Sequence, residues 1–333
     1  MTKRMNRFLI AFLCMAMTAC AGTIDPDSEG VDDGTLLLIP DVEKFFADGK
    51  SAVNFTVMDA DIDVTQDAVV TCITTGQNVQ NAVFSTVQAG EYKFRASYNG
   101  KVSQPESVVA MFKSQFERKV CVMEFTGTWC ALCPAGATLL NFLANDQYKG
   151  KINVLAFHSK DEYSLPVEQL LAAKYNPSGL YPYYLTDMRD SGELKGNGCS
   201  DSIYKSLYET ETFCGPSVSC VYDETSANVV VTANVISEKT MEYRLAAYVV
   251  EDKIVGKQDG TTLKEYTHRH VVRKMLSSDY MGDRLGEIAS GNQAEKSYSF
   301  TLDPAWNPAN VSVVILAISP DGEINNSAST EIK

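Results

Sequence analysis

Lys119-Val-Cys-Val-Met-Glu-Phe125-Thr-Gly-Thr-Trp129-Cys130-Ala-Leu-Cys133-Pro134 is the stretch on which the fold turns. Lys119 to Phe125 is a short apolar run of strand length, Thr126-Gly127-Thr128 is a turn, and a helical run extends from Pro134 to about Asn145. A buried strand feeding a helix is an α/β signature. The two cysteines fall at the junction. Cys130 belongs to the first turn, where unpaired backbone amides and the helix dipole favour a thiolate, so it is the expected nucleophile. Cys133 lies three residues further on, placed to resolve a mixed disulfide, and Pro134 suits an early helical position.

Other readings of the pair are a zinc half-site and an inert bridge. Zinc sites built on Cys-x-x-Cys generally use a second such pair, whereas Cys214 and Cys220 are six apart and Cys199 stands alone. His158, His268 and His270 remain as conceivable ligands. The alternation of His268 and His270 would put both on one strand face, two exposed histidines beside Arg269 and Arg273. Redox exchange is the reading carried forward, with no metal and no diffusible cofactor.

Outward from this stretch, Ile152–Phe157 reads as a second buried strand, Val167–Tyr175 as a helix and Tyr181–Thr186 as a third extended segment, so α/β character lasts to about Ser206. On either side the pattern is β. Between Leu36 and Ala110 short apolar runs alternate with turn clusters. In the clearest, Tyr92, Phe94, Ala96 and Tyr98 share one face, and Asn99-Gly100 supplies the turn. Beyond Gly215, runs such as Asn228–Ile236, Tyr243–Val250 and Val311–Ser319 are divided by polar turns.

The N-terminus is a secretory signal in pattern. Met1 to Arg7 is cationic, Phe8 to Met17 is apolar but too short to span a bilayer, and Thr18-Ala19-Cys20 follows. Met17-Thr-Ala-Cys20 resembles a bacterial lipobox, which implies lipidation of Cys20 and a lipid-anchored outer-membrane protein on the periplasmic or surface face. Removal of the signal takes Lys3, Arg4 and Arg7 from 29 basic residues and leaves 42 acids, moving the formal charge from −13 to −16. Nucleic acid is an unsuitable partner for such a surface. Seven cysteines remain after Cys14 and Cys20. With Cys130 and Cys133 paired, five are left, so at least one is a free thiol, Cys72 and Cys121 being the candidates. One structural disulfide is expected among Cys199, Cys214 and Cys220.

Val122-Met-Glu-Phe125, Trp129-Cys-x-x-Cys-Pro134 and Gly179-Leu-Tyr-Pro182 together resemble the thioredoxin superfamily. That resemblance implies a cis-proline at Pro182 offering its neighbouring backbone to an extended substrate, with Tyr181 and Trp129 as contacts. It also implies a buried acid at Glu124 beneath the second cysteine; a merely exposed strand-end glutamate is the other reading. Glu124 to Pro134, with Tyr243-Arg-Leu-Ala-Ala-Tyr-Val-Val-Glu-Asp252 and Tyr266-Thr-His-Arg-His-Val-Val-Arg273, resembles the twenty-eight-kilodalton outer-membrane protein family over about residues 118 to 320. Ala131-Leu132 departs from the dipeptides of both reductants and strong oxidants and leaves the direction of electron flow open.

The expectation is therefore a multidomain α+β protein. It has a signal at 1–19, a lipidated Cys20 with an acidic tether at 20–34 and an immunoglobulin-like β-domain at 35–112. A central thioredoxin-like α/β domain at 113–214 and a C-terminal β-sandwich at 215–333 follow. The expected function is membrane-anchored thiol–disulfide exchange with a protein thiol or disulfide client, or with an upstream electron donor or acceptor. The alternative is a surface binding or structural lipoprotein that recognises protein or glycan through its β-domains and holds an inert disulfide.

Overall fold

The computed structural model describes residue 32 and residues 34–332. The expected signal segment, the expected lipidation site Cys20 and nearly all of the expected acidic tether lie outside the described residues. The chain divides into two compact units. One comprises the described residues up to Glu43 with 52–85 and 91–109; the other comprises 44–51, 86–90 and the chain from Ala110 onward.

The N-terminal region holds ten short strands: β1 (Leu36–Pro40), β2 (Lys44–Phe46), β3 (Val53–Asp59), β4 (Ile62–Asp63), β5 (Val69–Cys72), β6 (Gln77–Val79), β7 (Val83–Phe84), β8 (Gly90–Tyr98), β9 (Lys101–Val102) and β10 (Glu106–Met111). β3 pairs antiparallel with β1, β4 and β7, while β5 pairs with β6 and β8. The alternation in β8 sorts as expected, with Tyr92, Phe94 and Ala96 buried. Phe94 meets Phe55 at 4.6 Å and Phe84 at 4.9 Å between ring centroids, which fixes the β8 face inward. Asn99 and Gly100 take φ of 47° and 77°, the left-handed pair that a tight hairpin requires.

After β10, β11 (Val120–Thr126), α1 (Cys133–Phe142), β12 (Ile152–His158), α2 (Pro166–Tyr175), β13 (Tyr183–Thr186), β14 (Asp190–Glu193) and α3 (Gly198–Tyr208) come first. Then follow β15 (Cys214–Asp223), β16 (Asn228–Ser237), β17 (Met241–Glu251), β18 (Ile254–Gly256), β19 (Tyr266–His268) and β20 (Val271–Met275). The last strands are β21 (Asp283–Ile288), β22 (Gln293–Thr301), β23 (Val311–Ile318) and β24 (Ile324–Glu331). Nine of these strands form one sheet in the order β14-β13-β11-β12-β20-β17-β23-β24, with β21 also on β17; β15-β16-β22 form a second sheet. β12 runs parallel to β11 and touches β20 at Ala156↔Val271, the join between early and late chain.

This corrects the expected fold class. Among the described residues strand predominates, 46% against 14% helix, with three α-helices and several sheets, so there is no central thioredoxin-like α/β domain flanked by a separate C-terminal β-sandwich among them. The physical reason lies in the strand edges. The free edge of β12 is covered by β20 rather than by solvent, and the sheet continues through β17 and β23 without a break in hydrogen bonding.

Side-chain alternation then divides the core. Tyr243, Leu245, Ala247 and Val249 of β17 pack with Val229, Val231, Ala233 and Val235 of β16. Ala246, Tyr248 and Val250 point the other way, into one cluster with Met123, Phe125, Leu155, Phe157 and the α2 residues Val167 and Leu171. The opposite side of β11 (Val120 and Val122) is closed by Leu140 of α1 and Ile203 of α3. Strands buried on both faces need near-continuous apolar sequence, which β11, β12, β17 and β23 have.

Candidate functional site

β11 ends at Thr126, and Gly127-Thr-Trp129 carries the chain to Cys130, which is disulfide-bonded to Cys133 with Cα atoms 5.4 Å apart. Cys133 and Pro134 occupy the first positions of α1. The turn is held locally and from a neighbouring loop. The Cys130 amide donates to Gly127 O at 3.0 Å, and the Thr128 amide donates to Asp161 Oδ2 at 2.8 Å. Asp161 Oδ2 also lies 2.7 Å from His158 Nδ1, and Asp161 Oδ1 accepts from the Tyr163 amide at 2.9 Å. Burial pushes the Asp161 carboxyl up, but His158 and these amides outweigh it and hold the group below its ordinary value.

Trp129 donates its ring N–H to Ser159 O at 2.6 Å and stands edge-on to Tyr181, 5.3 Å between centroids, with its remaining face exposed. The Tyr181–Pro182 bond is cis. A Cβ on Gly136, one turn into α1, would lie 3.0 Å from the Pro182 ring and 2.8 Å from Leu194 Cδ2, so the proline and the dithiol helix are in close contact. The Tyr181 hydroxyl donates to Glu168 Oε1 at 2.6 Å, and burial followed by that carboxylate pushes the phenol up to about 12. Cys130, Cys133, Trp129, Tyr181 and Pro182 are thus brought together.

Glu124 joins them from below. It is 4% exposed on β11, between Ala156 of β12 and Tyr184 of β13, and its Oε1 has no hydrogen-bond partner. Desolvation lifts its pKa to about 8, leaving the carboxyl protonated at neutral pH. A cavity of about 20 Å³, room for one water, is lined by Glu124 and Cys133 together with Ala156, His158, Tyr266 and His268. Of the two sequence readings of Glu124, burial is the observed one.

Two parts of this site were not visible in the sequence. His268 is only 4% exposed, its Nε2 lies 3.2 Å from Lys257 O and its ring is 5.4 Å from that of His158; burial, then His158, lowers its pKa. β19 ends at His268, and His270 has φ of 56° before β20 begins, so the two histidines do not share a strand face and His268 is not exposed. Among the described residues no group of three or more His, Cys, Asp or Glu side chains is placed to hold a metal ion.

The second part is the tip of the β18–β19 hairpin. Asp259 donates its amide to Thr128 O at 2.8 Å, and Gln258 Nε2 donates to Cys130 O at 2.9 Å and Gly127 O at 3.2 Å. Under this tip Cys130 is 5% exposed and Cys133 1%.

The other cysteines among the described residues are free, Cys72, Cys121, Cys199 and Cys214 buried and Cys220 half-buried. Cys72 and Cys121 are the free thiols their apolar surroundings suggested. The expected disulfide among Cys199, Cys214 and Cys220 is absent, because Cys199 faces the α3–β11 core while Cys214 is in the β16–β17 core. Burial lifts Cys199 and Cys214 to about 12 and Cys220 to about 11, which leaves them unreactive at neutral pH.

Fold and site together define a two-unit, β-rich protein with a disulfide at a helix start, a buried acid beneath it and a hairpin across it. Residues 200–333 match the family model described as Outer membrane protein Omp28. That match supports the family resemblance over the C-terminal part of the chain, and with it an outer-membrane or envelope location. It does not reach the dithiol. Among solved structures the chain is similar to HBP35 of Porphyromonas gingivalis, at 19% identity and a TM-score of 0.55, over 66% of this chain and 77% of that one. At that identity the likeness is one of fold. A β-glucosidase, DesR of Streptomyces venezuelae, matches at 14% identity and a TM-score of 0.20 over 37% of this chain and 15% of that one, too low to carry an argument. No curated protein matches. The comparisons lend no support to a place in the thioredoxin superfamily. No described helix is long and apolar enough to cross a membrane.

Proposed function

We propose that this envelope-associated protein carries out thiol–disulfide exchange at Cys130–Cys133 with a protein client. The observation that supports this most is the buried Glu124 carboxyl, whose Oε1 has no hydrogen-bond partner and which lines the same water-sized cavity as Cys133. A buried acid without a partner is costly in a merely structural bridge and useful in an exchanging one. A client thiolate attacks Cys130 Sγ and forms a mixed disulfide. The Cys130–Cys133 bond breaks, and Cys133 leaves as a thiolate that takes the Glu124 proton. A second client thiolate then attacks the client sulfur of the mixed disulfide and closes the client disulfide. Cys130 departs as a thiolate, so the client loses two electrons and the protein gains them. Run backwards, the same steps reduce a client. Trp129, Tyr181 and Pro182 are the contacts proposed for the client backbone, and Cys20 the proposed lipid anchor.

A second reading has its own support. An envelope protein that binds protein or glycan through its β-rich surface, with a closed bridge, agrees better with the comparisons, which point to the envelope and carry no redox chemistry. The low exposure of Cys130 favours it too. Trapping separates the two. Cys133→Ser treated with a disulfide-linked peptide should accumulate a covalent adduct on Cys130, and Cys130→Ser should accumulate none. Absence of adduct on both variants would leave the binding reading in place.

A further inference from the structure

The hairpin tip over the dithiol turn is held by more than proximity. Asp259 and Gln258 between them give three hydrogen bonds to the carbonyls of Gly127, Thr128 and Cys130. Gly260, at φ of +79°, comes so close that a Cβ there would stand 1.9 Å from Ala131 O. Only glycine meets both conditions, the left-handed backbone and the backbone-to-backbone approach. The base of the hairpin is anchored separately, through the Ile254↔His268, Val255↔Thr267 and Gly256↔Tyr266 pairs, while Thr262, Leu263 and Lys264, just past the seated residues, are exposed. A firmly based arm with a few contacts at its tip is built to lift locally.

We propose that the 257–260 tip is a strap controlling access to Cys130, with Gln258 and Gly260 as the residues that set which partners react. In the seated position it holds the disulfide nearly out of solvent, so small diffusible thiols react slowly. A protein partner gains access by displacing the tip. The inference rests on the exchange reading and gives that site its selectivity.

The test is the rate at which glutathione and dithiothreitol reduce the disulfide in the oxidised full chain, for wild type, Gln258→Ala and Gly260→Ala. Gln258→Ala removes two of the hydrogen bonds and should raise the rate about fivefold, since roughly 1 kcal/mol less holds the strap down. Gly260→Ala cannot seat at all and should raise it further. Gly291→Ala, also at positive φ but with open space around it, controls for backbone strain and should react as wild type. Should Gly260→Ala fold poorly, Gln258→Ala alone carries the comparison. Equal rates in wild type and Gln258→Ala would overturn the strap. Faster reduction in the strap variants, with no peptide adduct on Cys133→Ser in the trapping experiment, would uphold the strap and overturn the exchange reading.

Discussion

Glu124 is the residue whose chemistry reaches furthest. Its carboxyl stays protonated in the folded protein to about pH 8, whereas in the unfolded chain it ionises near its ordinary value of 4.5. Its raised pKa therefore contributes fully to stability below about pH 4.5, and that contribution is lost as pH rises towards 8. Glu124→Gln removes this dependence. The variant should match wild type in stability at pH 4.5 and exceed it by a few kcal/mol at pH 8, read from denaturant midpoints on the oxidised proteins. The same small difference at both pH values would mean that the native carboxyl is already ionised. In exchange, Glu124→Gln should slow the departure of Cys133 as the mixed disulfide forms on Cys130 at neutral pH, and an unchanged rate would remove Glu124 from the mechanism. A different buried charge works structurally. Arg118 holds Asp187 Oδ2 at 2.7 Å, Thr212 Oγ1 at 2.8 Å and Asn325 O at 2.6 Å, while Asp187 Oδ1 accepts from the Cys121 amide. Arg118→Ala strands Asp187 in the core and should cost about 3–5 kcal/mol in urea unfolding. A loss under 1 kcal/mol would show that Asp187 finds water instead.

At the scale of elements, α1 against Pro182 is the decisive contact. On helix propensity alone Gly136→Ala would gain roughly 1 kcal/mol, but its methyl would press on Pro182 and Leu194, and overpacking costs about 1–3 kcal/mol. The variant should therefore melt lower than wild type; a higher Tm would mean that helix and proline have room between them. The strand, turn and early helix around Cys130 were legible because their signals are local: an apolar run, a glycine turn, a proline at the helix start. So was the turn at Asn99-Gly100. The hairpin tip was not, because its contacts reach the backbone of the dithiol turn across a long sequence separation and leave little more than a glycine as trace. Nor was the burial of His268, since a three-residue strand carries too little alternation to show which side faces in.

For the whole molecule, the error in the sequence reading has one source. β11 and β12 look complete as a small α/β unit, and nothing near them announces that β20, β17 and β23 continue their sheet. Apolar alternation identifies a strand and its faces but not the strand beside it. The consequence can be measured. A fragment of residues 113–214 exposes the β12 edge and loses the core shared with Ala246, Tyr248, Val250 and Leu316, so it should be unfolded or aggregated, whereas residues 110–333 should unfold in one cooperative transition. A soluble, cooperatively folding 113–214 fragment would restore an independent central domain.

Equilibrium titration of the oxidised chain against defined redox buffers, with Cys130→Ser as the blank, measures directly whether the Cys130–Cys133 bridge exchanges. The expected result is a two-electron couple with a midpoint between about −270 and −120 mV, the span of proteins that exchange disulfides. A pair that remains oxidised to below about −300 mV, as structural disulfides do, would contradict it and make the bridge a staple in an envelope binding protein.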